Sequence, residues 1–147
     1  MAVLFALDTS CIIAAVCGWH EQHGSAAAAI EERLKRGEAM TVAAHALSEA
    51  YAVMTRLPAP HRLAATDAWS LLSANFVEGV RVMTLSARDH VAVLARLAAG
   101  GVAGGRAHDA IIGECAVRAG ATALLTFNPR HFDPAPAGLS VIVPRQG

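Results

Sequence analysis

Two short apolar runs punctuate the chain, and polar side chains follow both of them. Val3–Leu7 is followed by Asp8, and Thr122–Thr126 leads into Asn128. Runs this short, without alternation of polar and apolar residues, are typical of strands buried on both faces of a parallel sheet. Ligands bind at the carboxyl ends of such strands, so Asp8 and Asn128 stand where a site is expected.

Helical periodicity fills most of the chain between these runs. The predicted helices, with Ser10 capping the first and Ser86 the fifth, are 11–16, 26–36, 44–57, 60–75, 87–99 and 107–119. Further strands are predicted at 39–43 and 80–84, and 141–143 closes the pattern as a short edge strand. This alternation predicts an α/β fold with a parallel sheet. With 147 residues, no repeat and no linker between domains, we expect a single domain over residues 1–147.

The composition predicts a soluble, cytoplasmic protein. The N-terminal apolar stretch reaches Cys17, but no Lys or Arg precedes it and Asp8 interrupts it. An acid at the centre of a membrane span would cost about 2.5–3.5 kcal/mol, so we expect no membrane segment. The three cysteines, Cys11, Cys17 and Cys115, form no CxxC pair and leave one unpaired in any bridging scheme. This pattern predicts free thiols in a reducing compartment.

The charge of the chain does not indicate a partner. Twelve basic and twelve acidic residues give a formal net charge of zero, which favours neither a nucleic-acid footprint nor an acidic ligand. Lys35 is the only lysine, so any phosphate contact would come mainly from arginines. The glycine-rich segment 100–105 lacks the GxxxxGK[ST] pattern, and we interpret it as a mobile linker.

Three carboxylates occupy positions at which an unpaired charge would be costly. Asp8 ends the first strand, Glu49 lies on the apolar side of helix 44–57, and Asp109 extends the apolar stripe of helix 107–119. A parallel α/β fold would bring all three towards one edge of its sheet, where oxygen ligands favour Mg²⁺ or Mn²⁺ over zinc. Two alternatives stay open: Glu49 can point outward at the edge of its stripe, and helix N-termini favour acids such as Asp109 without any metal.

Four motifs together resemble the PIN domain family, especially its VapC-type toxin ribonucleases. They are Asp8-Thr9-Ser10, Leu47-Ser48-Glu49, His108-Asp109-Ala110 and the stretch from Leu125 to Phe132. The resemblance implies a three-layer α/β/α fold with a central, mainly parallel sheet of four to five strands. It also implies an Mg²⁺- or Mn²⁺-dependent endoribonuclease that hydrolyses RNA phosphodiester bonds and is silenced by a small cognate antitoxin. We further expect a homodimer, in which the helices after Pro58 pair two copies.

The resemblance also implies roles for individual residues. Asp8, Glu49 and Asp109 match the acidic metal ligands, and Asn128 matches a catalytic position that is an acid in many members of the family. An amide offers a neutral oxygen in place of a carboxylate, so we expect one well-held cation. Asn128 would then contact the ion through water or position the substrate, and Asp133 is a less favoured source of the missing charge.

Several neighbouring residues are candidates for supporting roles. Thr9, Ser10 and Thr126 can donate hydrogen bonds to the carboxylates or contact a phosphate, although Ser10 serves equally well as a plain helix cap. Arg130 is the preferred candidate for a phosphate contact, and Arg106 is a second one.

Two rival interpretations follow from the same motifs. The neutral Asn128 and the zero net charge are compatible with a catalytically weak or inactive PIN-like module that binds RNA or protein. Phosphotransfer domains also place an Asp after their first strand. Haloacid-dehalogenase-type phosphatases need a second Asp where this chain has Ser10, and response regulators need a late lysine, which is absent here.

Overall fold

A computed structural model describes residues 2–145. Over that range the strands are β1 (Leu4–Leu7), β2 (Ala39–Ala43), β3 (Arg81–Met83), β4 (Ala123–Leu125) and β5 (Ser140–Ile142). The helices are α1 (Thr9–Val16), α2 (His23–Lys35), α3 (Ala44–Arg56), α4 (Ala65–Phe76), α5 (Ala87–Ala99) and α6 (Arg106–Ala119). A single turn of 3₁₀ helix covers Pro129–Phe132, between β4 and β5.

The strands form one sheet in the order β3-β2-β1-β4-β5, and every neighbouring pair is parallel. The apolar runs of the sequence become its central strands, with Phe5, Leu7 and Leu124 fully buried. The predicted parallel sheet of four to five strands is therefore confirmed, and β5 lies at an edge as expected.

The path of the chain sorts the helices into two layers. The chain moves outward from β1 through β2 to β3, and then returns to the other side of β1 with β4 and β5. Because parallel crossovers are right-handed, α1–α4 cover one face of the sheet and α5 and α6 cover the other. The observed packing agrees, since α1 contacts α2, α3 and α4, whereas α5 packs on α6 and α6 lies on β1 and β2. The three-layer prediction is confirmed.

The strand order reverses between β1 and β4. Open parallel sheets have a crevice outside the carboxyl ends of the strands at such a switch point, and ligands bind there. In this chain the residues that leave the two strands at that crevice are Asp8 and Thr126.

Apolar stripes fix how the helices pack. Helix α3 buries Ala46, Ala50 and Met54, and α6 buries Ile112, Cys115 and Ala116 among others. These are residues that the periodicity places in the core, and α6 ends at Gly120, whose φ of 86° suits glycine. All three cysteines are buried and free, as predicted. Within residues 2–145, no helix combines the length and the apolar character needed to cross a membrane.

One predicted helix begins later than expected. The pattern predicts a helix from residue 60, but α4 begins at Ala65, after the extended residue Ala64. Pro58 and Pro60 have no N–H to donate, and the preceding turn is held instead by a bond of 3.0 Å from the Leu63 N–H to the Met54 carbonyl. The turn thus docks on the end of α3 and delays the helix.

Candidate active site

Asp8 is the most constrained polar residue at the switch point. Its side chain is 1% exposed. One carboxylate oxygen, Oδ1, accepts hydrogen bonds from the Ser10 hydroxyl at 2.6 Å and from the Cys11 N–H at 3.0 Å. The other, Oδ2, accepts a bond of 2.5 Å from the Thr126 hydroxyl. Three donors from two sides of the crevice therefore fix the orientation of this carboxylate.

The prediction that Ser10 caps the first helix is wrong. The N-cap of α1 is Asp8, whose extended backbone lets its side chain reach the N–H three residues further on. Ser10 already lies in the first turn of α1, and its hydroxyl forms hydrogen bonds other than a helix cap. It donates to Asp8 and accepts a bond of 3.0 Å from the N–H of Phe127, 117 residues further along the chain.

Thr126 completes the connection between the ends of β1 and β4. It is fully buried, and its hydroxyl oxygen accepts a bond of 2.8 Å from the N–H of Asn128 while its hydrogen goes to Asp8. The hydroxyls of Ser10 and Thr126 thus hold the loop after β4 against the loop after β1. The hydrogen bonds predicted for these two residues are present in the structure.

Glu49 faces the same crevice from α3. Its Oε1 accepts a hydrogen bond of 2.8 Å from the hydroxyl of Thr9, the residue directly after Asp8. The side chain of Glu49 is 27% exposed, so it is neither buried nor free in solvent. Glu49 therefore does not simply point outward into solvent, because its side chain is bonded to the residue that follows Asp8.

Asp109 approaches from the first turn of α6. Its side chain is 15% exposed, and its Oδ2 lies 2.7 Å from Nδ1 of His131 on the 3₁₀ turn. Burial raises the pKa of Asp109; the hydrogen bond and charge of His131 act in the opposite direction, and Glu49 raises the pKa further. Burial likewise raises the pKa of Asp8, against the three hydrogen bonds it accepts, and the charge of Asp109 adds to the increase. Asp109 therefore lies close enough to Asp8 and to Glu49 for its charge to interact with both carboxylates.

The carboxylates converge without touching. Across residues 2–145, one oxygen from each of Asp8, Glu49 and Asp109 cannot be chosen so that all three lie within 4.8 Å of one another. A bare ion in contact with all three would need a tighter group than this.

The other predicted residues lie further out. Asn128 is exposed, and its backbone N–H donates a hydrogen bond to the hydroxyl of Thr126. Arg130 is also exposed and lines a shallow groove with Pro129 and Phe132. In the part of the chain that the structure describes, no ion pair joins Arg130 to an acid. Arg106 reaches the backbone carbonyl of Asp133, with its Nη2 3.5 Å from that oxygen.

Three histidines at the site had no role predicted from the sequence. Nε2 of His45 lies 2.7 Å from Nδ1 of His108, their rings stack at 5.0 Å, and His131 holds Asp109 as described above. Each of them occupies a sequence position that could have indicated a role at the site. His45 stands four residues before Glu49 on one helix, His108 directly precedes Asp109, and His131 lies in the motif after β4.

Comparison with known families decides the classification. The family model described as "PIN domain" matches residues 5–136 of the chain. The chain belongs to the PIN domain family. The predicted resemblance is thus confirmed, and the matched segment includes every residue of the crevice described above.

Individual PIN domain proteins agree with this assignment. The chain is 36% identical over 121 residues to Ribonuclease VapC40 of Mycobacterium tuberculosis, a match that covers 82% of this chain and 84% of that protein. VapC20 of the same species, described as a sarcin-ricin loop cleaving toxin, superposes with a TM-score of 0.69 at 17% identity, covering 91% of this chain and 97% of that one. VapBC2 from Rickettsia felis bound to a promoter DNA fragment gives 0.68 at 19%, covering 96% and 98%. At such low identity these two structures show the shared PIN fold.

Proposed function

We propose that this PIN domain protein is an endoribonuclease that depends on a divalent cation, Mg²⁺ or Mn²⁺, and that it is the toxin of a toxin–antitoxin pair. The observation that carries the proposal is the environment of Asp8. A carboxylate that is 1% exposed is held by three donors at the switch point of the sheet, with Asp109 close enough to act on its pKa and Glu49 bonded to the neighbouring Thr9. The 36% identity to a protein named a ribonuclease supports RNA as the substrate class.

The donor set of the crevice fits a hard divalent cation. Carboxylate oxygens are the ligands that Mg²⁺ and Mn²⁺ prefer. Burial raises the pKa values of Asp8 and Asp109, the charge of Asp109 adds to the increase at Asp8 and that of Glu49 to the increase at Asp109, and a bound cation would relieve these penalties. Mg²⁺ usually keeps several waters and binds through one or two carboxylates together with substrate phosphates. Side chains that converge without touching suit such a hydrated ion.

Each residue of the cluster then has a distinct task. We assign Asp8 and Asp109 as the ligands, with Ser10 and Thr126 fixing the first and His131 the second. Thr9 holds Glu49 where it can orient the attacking water or accept its proton. When bound, a divalent ion supplies the polarisation of the scissile phosphate and lowers the pKa of a coordinated water.

The exposed loop after β4 is proposed to meet the substrate. The carboxamide of Asn128 has one neutral oxygen and two N–H donors, which suit a phosphate or a water of the hydrated ion. Arg130, exposed on the same loop, can contact an RNA phosphate as a bidentate donor. Sequence selectivity would then depend on the shape of the RNA and on loops of this kind.

We also propose protein partners for this chain. A small antitoxin would place a basic segment in the acidic crevice, and the likeness to VapBC2 is in keeping with such a partner. A homodimer would form through the helices after Pro58, where Trp69 of α4 is 55% exposed. Sedimentation of the isolated chain at micromolar concentration tests the dimer, which a monomer under those conditions contradicts.

A single pair of variants tests the nuclease activity. Asp8→Asn keeps the size of the side chain but removes its charge and one acceptor, so we expect RNA cleavage in Mg²⁺ or Mn²⁺ to fall by at least about 100-fold. Asp67→Asn, on the exposed first turn of α4, removes the same charge away from the crevice and should leave cleavage unchanged. Equal activity of both variants would contradict the proposed site.

A wild-type chain that binds RNA without cleaving it would favour the rival function. The observation behind that rival is Asn128, a neutral residue at a position that is an acid in many relatives by resemblance. The measurement that separates the two is the appearance of RNA fragments, because binding alone yields none. Fragments in the wild type that disappear in Asp8→Asn exclude the inactive binding module.

A further inference from the structure

A second cluster of possible metal ligands lies beside the carboxylates and differs from them in chemistry. It consists of His45, Glu49 and His108, and one ligand atom from each lies within 4.8 Å of the other two. Nε2 of His45 and Nδ1 of His108 are 2.7 Å apart, and Nδ1 of His108 is 3.9 Å from Oε2 of Glu49. These atoms belong to two helices of opposite layers, α3 and α6.

The two carboxylate oxygens of Glu49 face different neighbours. Oε1 accepts the hydrogen bond from Thr9, on the side of Asp8, whereas Oε2 faces His108. His45 and Glu49 are four residues apart on α3, so their side chains project from the same face of the helix. Glu49 therefore joins the oxygen cluster to the pair of imidazoles.

The separations are close to those of a tetrahedral zinc site. Zn²⁺ binds imidazole nitrogen at about 2.0–2.1 Å and carboxylate oxygen at about 2.0–2.2 Å, so tetrahedral ligand atoms lie roughly 3.3–3.5 Å apart. The nitrogen pair would have to open slightly from 2.7 Å, and Glu49 would have to approach His108 slightly from 3.9 Å. His108 takes part in both separations and is 50% exposed, so a small rotation of its side chain can adjust them.

The direct contact between the imidazoles also indicates a place for a cation. Two nitrogens at 2.7 Å can share one proton, which requires one ring to donate and the other to accept. A metal ion would replace that proton and bind the lone pairs of both rings. Two histidines and one glutamate, with a fourth position open to solvent, are a ligand set that zinc uses.

We propose that His45, Glu49 and His108 form a site for a transition-metal ion of the zinc class, adjacent to the carboxylate cluster and sharing Glu49 with it. Imidazole nitrogen favours Zn²⁺, Ni²⁺ or Cu²⁺, whereas Mg²⁺ favours the oxygens of Asp8 and Asp109. The two sites thus discriminate between the two classes of cation. An ion on the imidazoles engages Oε2 of Glu49 as a ligand and so competes with the role of this carboxylate in orienting or deprotonating water; this inhibition of cleavage rests on the proposed nuclease function.

Zn²⁺ binding to the full chain tests the site without reference to activity. The untagged protein is titrated with Zn²⁺ by calorimetry in excess Mg²⁺, which occupies the carboxylates. We expect one equivalent to bind, and we expect His45→Gln and His108→Gln each to weaken binding by at least about tenfold, since even residues that only support a ligand contribute 10- to 100-fold. His61→Gln, at an exposed ring stacked on Trp19, is the matched control and should bind as the wild type does.

The outcomes separate this inference from the proposed function. Retained Zn²⁺ affinity in both His45→Gln and His108→Gln, or no binding by the wild type, overturns the site. The exposed His108 keeps the test valid if His45→Gln fails to fold. Asp8→Asn should still bind Zn²⁺ while losing cleavage. If the wild type cleaves no RNA at all, the nuclease proposal fails, but the Zn²⁺ titration still tests the metal site independently.

If cleavage is observed, a second measurement links the two sites. Zn²⁺ added to the wild type in Mg²⁺ should reduce the cleavage rate, and His108→Gln should raise the Zn²⁺ concentration needed for half inhibition by at least about tenfold. His61→Gln should leave that concentration unchanged. Equal inhibition of His108→Gln and the wild type would contradict the shared role of Glu49.

Discussion

The loops that leave β1 and β4 end side by side at the switch point, yet they differ in how firmly they hold their polar groups. Asp8, after β1, is 1% exposed and accepts three hydrogen bonds. Asn128, after β4, is exposed and is tied to the cluster through its backbone N–H. The Asp8 carboxylate is held in a fixed orientation, whereas the side chains of Asn128 and Arg130 on the β4 loop are exposed to an incoming molecule. Changes in the β1 loop and its partners should therefore have larger effects than changes in the β4 loop.

The largest effect is expected at Asp109, the carboxylate opposite Asp8. Asp109→Asn removes a proposed ligand, and RNA cleavage should fall by at least about 100-fold, beyond the range associated with residues that only support a ligand. Asn128→Ala is the matched change in the exposed loop, and its activity should fall by less than about tenfold. Initial rates of cleavage at saturating Mg²⁺ make the comparison. A larger loss in Asn128→Ala than in Asp109→Asn would break the contrast between the buried or half-buried carboxylates and the exposed side chains of the β4 loop.

A smaller effect, on stability, is expected at Thr126. Thr126→Val keeps the shape of the buried side chain but removes a donor to the Asp8 carboxylate and an acceptor for the Asn128 N–H. Hydrogen bonds to charged groups contribute about 1.5–3 kcal/mol each, so the free energy of unfolding should fall by about that amount. Urea denaturation in EDTA measures it, and Thr66→Val, at an exposed position in the first turn of α4, serves as the control. Unchanged stability in Thr126→Val would mean that the bond to Asp8 does not stabilise the fold.

A gain in metal affinity is expected when an acid replaces Asn128. Asn128→Asp adds a fourth acid at the crevice, and a unit charge about 6 Å from a divalent ion in water contributes roughly 1.4 kcal/mol, or about tenfold in affinity. Titration of Mn²⁺ followed by electron paramagnetic resonance measures the dissociation constant. Asn75→Asp, at an exposed position near the end of α4, is the control. Equal affinities for all three proteins would show that position 128 lies too far out to act on the ion.

The smallest effect is expected at Arg130. Its guanidinium is exposed and, within residues 2–145, forms no ion pair with an acid, so Arg130→Ala should leave stability unchanged. Loss of one exposed phosphate contact should raise KM by less than about tenfold with little change in kcat. Steady-state kinetics on a labelled RNA separates the two constants, and Arg56→Ala at the end of α3 is the control. A large fall in kcat would place Arg130 closer to the reacting atoms than we propose.

The sequence carries the parts of this molecule that depend on local pattern. Buried runs predict β1 and β4, apolar stripes predict α3 and α6, and the position of Asp8 after a buried strand predicts the edge where it lies. Helix α2 begins at His23, three residues before its predicted start. The larger departure is the stretch before α4. Its turn depends on a bond from Leu63 to Met54, a contact that local propensity does not encode.

The parts that the sequence conceals are contacts between distant segments. The Ser10 hydroxyl accepts a hydrogen bond from the N–H of Phe127, 117 residues away. Its position before an apolar run predicts a helix cap and does not indicate this contact. His45 and His108 are 63 residues apart, and neither has a second histidine at metal-binding spacing on its own helix. Only the crossing of α3 and α6 at the carboxyl edge of the sheet brings them together.

The central claim, a cation-dependent nuclease centred on Asp8, is tested most directly by removing and restoring the metal. The purified chain is incubated with a pool of structured and single-stranded RNAs in Mg²⁺ or Mn²⁺, then in excess EDTA, and then with the cation restored. We predict fragments with the cation, none in EDTA, and recovery of cleavage when the cation returns. Cleavage that persists in EDTA, or no cleavage with either cation, would contradict the account.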